Sequence, residues 1–314
     1  MNDRELKDIF IEALLSNSAN MLRKLPKSDL HNHAGRGGSQ SYISQLIGRK
    51  IQMHTGVFES LSDMNNWLKN NITCYLPNGK ENYLKRVDAS FQAAKEDSIV
   101  KLSLDFGIGE IEAFGGMVDF IDVVEGIKKK QNSQLSFYPV MAIYDIYNLD
   151  CLEEYLSYRW FDAIDIINYD GILTSEIILL ICNLAKAYGV KTKAHIGEYG
   201  TADDVLRYLN EYGIEEIQHG IAIIENDNAI KECLHKQTYF HVCPTSNIML
   251  GRAEDYASHP IGKMYQSGIK VTVNTDDLLI FNSSVSEEFL RLFRSGVLSA
   301  DELFDIYING LEYN

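Results

Sequence analysis

The sequence has few basic residues, no paired cysteines and no long apolar run. Lys and Arg number 29 against 44 Asp and Glu, so the 314-residue chain carries a net charge of −15. A nucleic-acid partner requires a basic surface, and this balance argues against one. The five cysteines are an odd number without a Cys-x-x-Cys spacing, which favours free thiols in a reducing cytoplasm over a disulfide framework.

Apolar runs are too short for a membrane segment. The strongest, residues 177–181, is far below the roughly 18 residues of a membrane span. Residues 1–23 mix acids and bases and lack the apolar region of a secretory signal. With only five prolines, no Pro-rich or Gly-rich linker marks a boundary. We therefore expect a cytoplasmic protein whose residues 1–314 form one domain, without a membrane partner.

Strand-like runs alternate with helix-like segments along the chain. The clearest helix spans residues 175–188, with Thr174 or Ser175 as its N-cap and Gly189 at its end. The predicted strands are residues 28–34, 99–106, 134–143, 161–167, 190–195, 215–219, 238–243 and 270–274. Eight strand–helix units predict an α/β fold, a (β/α)8 TIM barrel with parallel strands.

The segment between strands one and two is longer than a crossover helix requires. Residues 35–98 contain several aromatic residues, among them Tyr42, Phe58 and Trp67. This composition predicts extra helices over the barrel mouth, where a lid would exclude water. Packing of these helices against the barrel wall is an equally good interpretation of any one aromatic.

Polar residues cluster where four of the predicted strands end. His31 and His33 alternate along strand one and would share a face. His195 ends strand five, His219 ends strand six, and Asp276 follows strand eight. Barrel enzymes place catalytic groups at this end of their strands. The sequence therefore predicts one site at the carboxyl rim of the barrel.

Three histidines and an aspartate form a donor set that suits zinc and leaves room for a water. We assign His31, His33, His195 and Asp276 as ligands of one Zn2+ per chain. Zinc lowers the pKa of its water toward about 7, which makes hydroxide available at neutral pH.

Three further residues suit acid–base chemistry beside this metal. Glu198 follows His195 by three residues and can donate a proton facing the metal. His219 could orient the water or take its proton. Asp277, beside a ligand, is free to hydrogen-bond a substrate.

Several motifs together resemble the adenosine deaminase family of the amidohydrolase superfamily. They occur in family order over nearly the whole chain, at 26–33, 195–198, 218–220, 242–247, 259–261 and 274–277. The resemblance implies a zinc enzyme that deaminates a 6-aminopurine to the inosine-type product and ammonia. Hydroxide would attack C6, Glu198 would protonate N1, and Asp277 would contact the N7 side. The absence of lysine from residues 161–170 favours one metal over two.

The chain departs from this family where the substrate would bind. The family's ribose-contacting aspartate falls on Gly35 or Arg36, and Arg36 could instead bind an anionic substituent. A solvent-facing Arg36 is the alternative. The turn that contacts purine N3 in the family reads Ile167 to Asp170 here, which makes Asn168 a substrate-binding candidate. Gly197, within the histidine–glutamate motif, is another.

Three interpretations of function follow from these residues. The first is deamination of adenosine or a modified adenosine, with a small purine as the only expected partner. The second is an adenine deaminase, or an amidohydrolase that cleaves a different cyclic C–N bond. The third is a catalytically silent barrel that serves as a binding protein.

Overall fold

A computed structural model describes residues 3–314 and contains one eight-stranded sheet in which every pair is parallel. Its strands follow in sequence order: β1 Lys27–Asp29, β2 Ile99–Gly107, β3 Ser136–Ile143, β4 Ala163–Ile167, β5 Lys191–Ile196, β6 Glu216–His219, β7 Tyr239–Val242 and β8 Lys270–Val273. The order and direction of these strands confirm the predicted (β/α)8 barrel.

Helices surround the sheet, with short 3-10 or π-helical turns between some of them. Their bounds are α1 Asp3–Leu15, α2 Ala19–Leu22, α3 Gln40–Ile47, α4 Leu61–Asn71, α5 Lys80–Glu96, α6 Ile108–Glu112, α7 Met117–Gln131, α8 Leu152–Ser157, α9 Ser175–Tyr188, α10 Ala202–Arg207, α11 Asp227–Lys236, α12 Pro244–Met249, α13 Ile261–Gln266, α14 Leu278–Phe281, α15 Val285–Ser295 and α16 Ala300–Glu312. Helix α9 has the predicted bounds, because Thr174 caps its first turn and Gly189 adopts the left-handed conformation after its last. Among residues 3–314, no helix combines the length and apolarity needed to cross a membrane.

The first and last strands meet through side chains and single bridges. Asp29 accepts hydrogen bonds from the Thr275 backbone N–H (3.1 Å) and hydroxyl (2.6 Å), and the Leu30 N–H donates to the Asn274 side chain at 2.8 Å. A lone parallel bridge joins Asn32 to Asp276. This buried polar seam places the ends of β1 and β8 side by side.

Strand one is shorter than predicted, ending at Asp29 instead of Ala34. Beyond Asp29 the chain makes only isolated bridges, Asn32 to Asp276 and His33 to Asp105. The other strands differ from their predicted bounds by two residues or fewer at either end. Backbone hydrogen bonds are still made beyond Asp29, from the Asp276 N–H to the His31 carbonyl and from the Ala34 N–H to the Asp105 carbonyl, but they do not form a continuous ladder.

The segment from 35 to 98 contains α3, α4 and α5, as expected for an insertion rich in helix. A hydrophobic cluster separate from the main core includes Ile43, Met64 and Leu68 of this segment with Leu279 and Phe281 after strand eight. These apolar contacts hold the inserted helices against the carboxyl rim.

Candidate active site

The predicted histidines and acids converge at the carboxyl rim. His195 lies in β5 and His219 ends β6, while His31, His33 and Asp276 follow β1 and β8. Ring centroids of His31 lie 5.8 Å from His33, 4.7 Å from His195 and 4.4 Å from His219. Parallel strands explain this convergence, because all their carboxyl ends share one edge.

The three predicted histidine ligands lie close to one another, and Asp276 lies beside two of them. Ligand nitrogens of His31, His33 and His195 all lie within 4.8 Å of one another. The Asp276 Oδ1 atom is 3.1 Å from His33 Nε2 and 3.9 Å from His31 Nε2. His31, His195 and Asp276 are buried, and His33 is half-buried. This arrangement can hold one cation.

Hydrogen bonding behind the rings fits the residues to a metal. His31 Nδ1 lies 3.0 Å from the carbonyl oxygen of His241, which can only accept, so this nitrogen carries the proton. His195 Nδ1 lies 2.7 Å from Asp165 Oδ2, without the geometry of a hydrogen bond. The Nε2 atom of His31, which carries a lone pair, lies 3.0 Å from the Nε2 atom of His195. A cation can bind between two such nitrogens, as at zinc sites where groups behind the ligand histidines orient their rings.

Electrostatics keep both of these imidazoles neutral. Burial lowers the pKa of His31 well below its usual range, and the neighbouring histidines lower it further. Burial likewise lowers the pKa of His195 to about 4. Neutral imidazole is the form that binds a metal.

Two site residues adopt left-handed backbone conformations that side chains other than glycine rarely take. The φ angle is +62° at His219 and +57° at Asp276. The Asp276 N–H donates to the His31 carbonyl at 2.9 Å, and its Oδ2 accepts from the Ser246 hydroxyl at 2.6 Å. Such conformations cluster at functional sites, where surrounding contacts hold them in place.

Glu198 lies beside this cluster and is buried. Its Oε1 accepts from the Asn247 side-chain amide at 3.1 Å and its Oε2 from the Tyr169 hydroxyl at 2.9 Å. His219 Nε2 is 3.6 Å from Oε2. Burial raises the pKa of Glu198, although nearby His219 and these hydrogen bonds act in the other direction. A carboxyl with a raised pKa can carry a proton nearer neutral pH.

His219 is oriented by the same amide. Asn247 Nδ2 lies 3.1 Å from His219 Nδ1, so this ring nitrogen accepts and Nε2 carries the proton. Burial lowers the pKa of His219. The neutral ring therefore presents an N–H donor toward Glu198 and Asp276, whose oxygens are 3.6 Å and 3.9 Å away.

Arg36 holds Asp277, the residue that follows Asp276, by a hydrogen bond. Arg36 Nη1 donates to Asp277 Oδ2 at 3.0 Å, and Nη2 donates to Asn65 Oδ1 at 3.0 Å. The other oxygen, Asp277 Oδ1, is buried and has no hydrogen-bond partner among residues 3–314. One carboxylate oxygen thus remains for a ligand.

A cavity of about 440 Å³ opens above these residues. Its wall includes Arg36 and all the predicted acid–base residues, and α4 and α5 contribute Leu61, Met64, Asn65 and Arg86. Asn168 and Gly197 are not part of the wall. The Asn168 side chain makes two 2.9 Å hydrogen bonds with the Leu173 backbone, which close the loop after β4.

Gly197 has a backbone role next to Glu198. Its φ is +72°, and an added Cβ would lie 2.7 Å from Val205 and 3.1 Å from the Gly220 backbone. The position therefore requires glycine for the turn that carries Glu198 into the cavity.

The motifs alone did not identify several residues that complete the site. Asp165 supports His195 from the middle of β4, and Tyr169 projects from the loop after it into the cavity. Asp165 is a charged residue within the apolar run 163–167, and this pattern could have indicated its role. Because an unpaired buried acid is costly, such a residue is expected to have a polar partner. Nothing in the sequence indicates that Tyr169, rather than Asn168, faces the site.

Comparison with known families matches residues 172–314 to a family model described as adenosine deaminase. A curated protein of Treponema pallidum, described as a putative adenosine/adenine deaminase, is 26% identical over 282 residues, which cover 88% of this chain and 94% of that protein.

Solved structures show the same fold at low sequence identity. An adenine deaminase from Arthrobacter aurescens has a TM-score of 0.75 and 20% identity, covering 91% of this chain and 92% of its own. An amidohydrolase from Burkholderia ambifaria with bound zinc has a TM-score of 0.76 and 17% identity, covering 95% of this chain and 87% of its own. At these identities the structural likeness shows the fold alone.

Proposed function

We propose, from the similarity of residues 172–314 to the adenosine deaminase family model, that this chain is a zinc-dependent hydrolase that deaminates a 6-aminopurine. The observation that carries the proposal is the 3.0 Å approach of the Nε2 atoms of His31 and His195 beside the buried acid Glu198. From the contacts of the residues around these groups, we propose a chemical role for each of them.

His31, His33, His195 and Asp276 would hold the zinc ion, for which three imidazoles and a carboxylate are suitable donors. When bound, the ion would supply Lewis-acid chemistry that makes water a nucleophile near neutral pH. The solved zinc-containing amidohydrolase of the same fold supports the choice of metal.

Glu198 would donate its proton to purine N1 while a water oxygen adds to C6. The protonated form is available because burial raises the pKa of Glu198. After transfer, the carboxylate is held by the Asn247 amide at 3.1 Å. The N–H of His219 would orient the attacking oxygen, because its Nδ1 is already occupied by Asn247. Of the two water protons, one restores the Glu198 carboxyl group and the other passes to the exocyclic nitrogen, which leaves as ammonia when the C6–N bond breaks.

Asp277 would contact the purine through its free oxygen Oδ1. Arg36 holds the other oxygen, and both terminal guanidinium nitrogens of Arg36 make hydrogen bonds within the protein. This pairing favours a role in orienting Asp277 over the binding of an anionic substituent.

The residues near Gly35 favour a second candidate substrate, free adenine. Gly35 offers no side chain to a sugar, and an added Cβ would lie 2.7 Å from Arg86 Nη1 and 2.9 Å from the Tyr83 ring. The room that a ribose-binding carboxylate would need at position 35 is therefore filled by α5.

Helices α3, α4 and α5 would act as a lid. Residues of α4 and α5 form part of the cavity wall, and the apolar cluster that joins them to the rim would exclude water from the reaction.

Ammonia release from adenine, adenosine and 5′-substituted adenosines, measured together with zinc content, tests the proposal. We expect one zinc per chain and turnover of at least one of these purines. A zinc-loaded protein that releases no ammonia from any of them would instead favour another cyclic amidohydrolase or a silent barrel.

A further inference from the structure

Tyr169 is the one aromatic residue in the cavity wall that makes a hydrogen bond to Glu198 among residues 3–314. It lies in the loop between β4 and α9. The Asn168 side chain ties this loop to Leu173, and Asp170 Oδ1 accepts from the Ile172 N–H at 3.2 Å. These bonds occupy the two neighbours of Tyr169 within the loop and leave its ring directed into the cavity.

The Tyr169 hydroxyl donates to Glu198 Oε2 at 2.9 Å. Burial raises the pKa of Tyr169 well above its usual range, and nearby Glu198 raises it further, so the phenol keeps its proton. Asn247 donates to the other oxygen at 3.1 Å. Each oxygen of Glu198 thus has one donor, which is the pattern that suits a carboxylate.

The ring of Tyr169 is fixed by its neighbours. It makes edge-to-face contacts with Tyr199, with centroids 4.9 Å apart, and with His195 at 6.0 Å. The Arg252 guanidinium covers Tyr199 at 4.6 Å from its ring centroid. This stack holds the hydroxyl in place, so little freedom is lost when its hydrogen bond to Glu198 strengthens.

We propose that Tyr169 is a positioning residue that stabilises the carboxylate formed when Glu198 gives its proton to purine N1. The inference rests on the proposed function. In this step the Glu198 O–H bond breaks and an N1–H bond forms, while Tyr169 keeps its own proton throughout. The Tyr169 hydrogen bond becomes charge-assisted as the negative charge develops, and it is therefore stronger in the transition state than before it.

The variant Tyr169→Phe tests this role because it removes the hydroxyl and keeps the ring. Tyr212→Phe is the matched control, since Tyr212 is a buried residue outside the cavity wall whose hydroxyl donates to Ser175 Oγ at 2.9 Å. We expect kcat of Tyr169→Phe to fall by about tenfold or more, with KM changed by less than about threefold. Tyr212→Phe should remain close to the unmodified enzyme.

The pH profile of kcat/KM separates this role from a purely structural one. The polar groups that face Glu198 are His219, Asp276, Asn247 and Tyr169. Loss of a donor to the carboxylate raises the Glu198 pKa, so the alkaline limb of Tyr169→Phe should move to higher pH by up to about one unit. The control should not shift.

Unchanged kcat in Tyr169→Phe, an effect on KM alone, or equal losses in both variants would overturn the positioning role. These outcomes require an unmodified enzyme that turns over a purine. Absence of turnover in that enzyme would instead refute the proposed function, and this inference with it.

Discussion

Replacement of Glu198 by glutamine is the most direct test of the proposed chemistry. The amide has nearly the size of the carboxyl group, and its oxygen can still accept from Asn247. Its NH2 group would meet the Tyr169 hydroxyl, which can turn to accept instead of donate. The metal ligands are unchanged. The variant therefore lacks the N1 proton donor while it keeps the fold and the metal.

The expected loss of activity follows from the role of a general acid. Such groups contribute about 10²–10⁴ in rate, which corresponds to about 2.7–5.4 kcal/mol of barrier at about 1.36 kcal/mol per factor of ten. Stability should change by no more than about 1 kcal/mol, because one hydrogen bond is rearranged and none of the ligands is lost. A large fall in kcat with intact folding is therefore predicted.

The assay is ammonia release under saturating purine, with zinc content and thermal unfolding measured on the same samples. Glu288→Gln is the matched control, because Glu288 is an equally buried glutamate outside the cavity wall that accepts from the Thr245 N–H at 3.2 Å. The control should keep its activity. A Glu198→Gln variant with more than about a tenth of the original kcat would refute the assignment of the proton donor.

Three further predictions concern the metal, the rim and stability. His195→Ala should lose both zinc and activity. A chelator should remove both reversibly, and it should lower the free energy of unfolding by about 2.7 kcal/mol if zinc was present at 100 times its Kd. Elemental analysis and thermal unfolding check these outcomes, and a zinc-free but active protein would contradict them. Arg36→Met should lower kcat/KM by about tenfold because Asp277 loses its orienting partner, and Arg36→Lys should restore part of that loss. Equal kcat/KM in the unmodified protein and both variants would exclude a role of Arg36 in orienting Asp277. Burial raises the pKa of Glu288 from 4.5 to about 7, so the folded state binds more protons than the unfolded state between these values and stability falls as pH rises through that window. Between pH 5 and pH 8, urea unfolding should show that the free energy of unfolding falls by up to about 3 kcal/mol more in the unmodified protein than in Glu288→Gln. Equal decreases in the two proteins would show that Glu288 does not cause the pH dependence.

Local sequence patterns predicted the helix at 175–188 to the residue, because its caps are encoded by neighbours in the chain. They overestimated strand one, because beyond Asp29 the chain pairs only through isolated bridges to Asp276 and Asp105, which are distant in sequence. Boundaries set by local chemistry were predictable, and a boundary set by a partner strand was not.

The candidate site shows the same division. Repeated strand–helix units and their terminal polar residues determined, without coordinates, that His31, His195 and Asp276 would share one rim, since parallel strands end at the same edge. Only the tertiary structure decided that the Nε2 atoms of His31 and His195 approach each other, that Arg36 pairs with Asp277, and that Tyr169 rather than Asn168 faces Glu198. Periodicity specifies the face on which a residue lies, whereas its hydrogen-bond partner depends on side chains that only the closed barrel brings within about 3 Å.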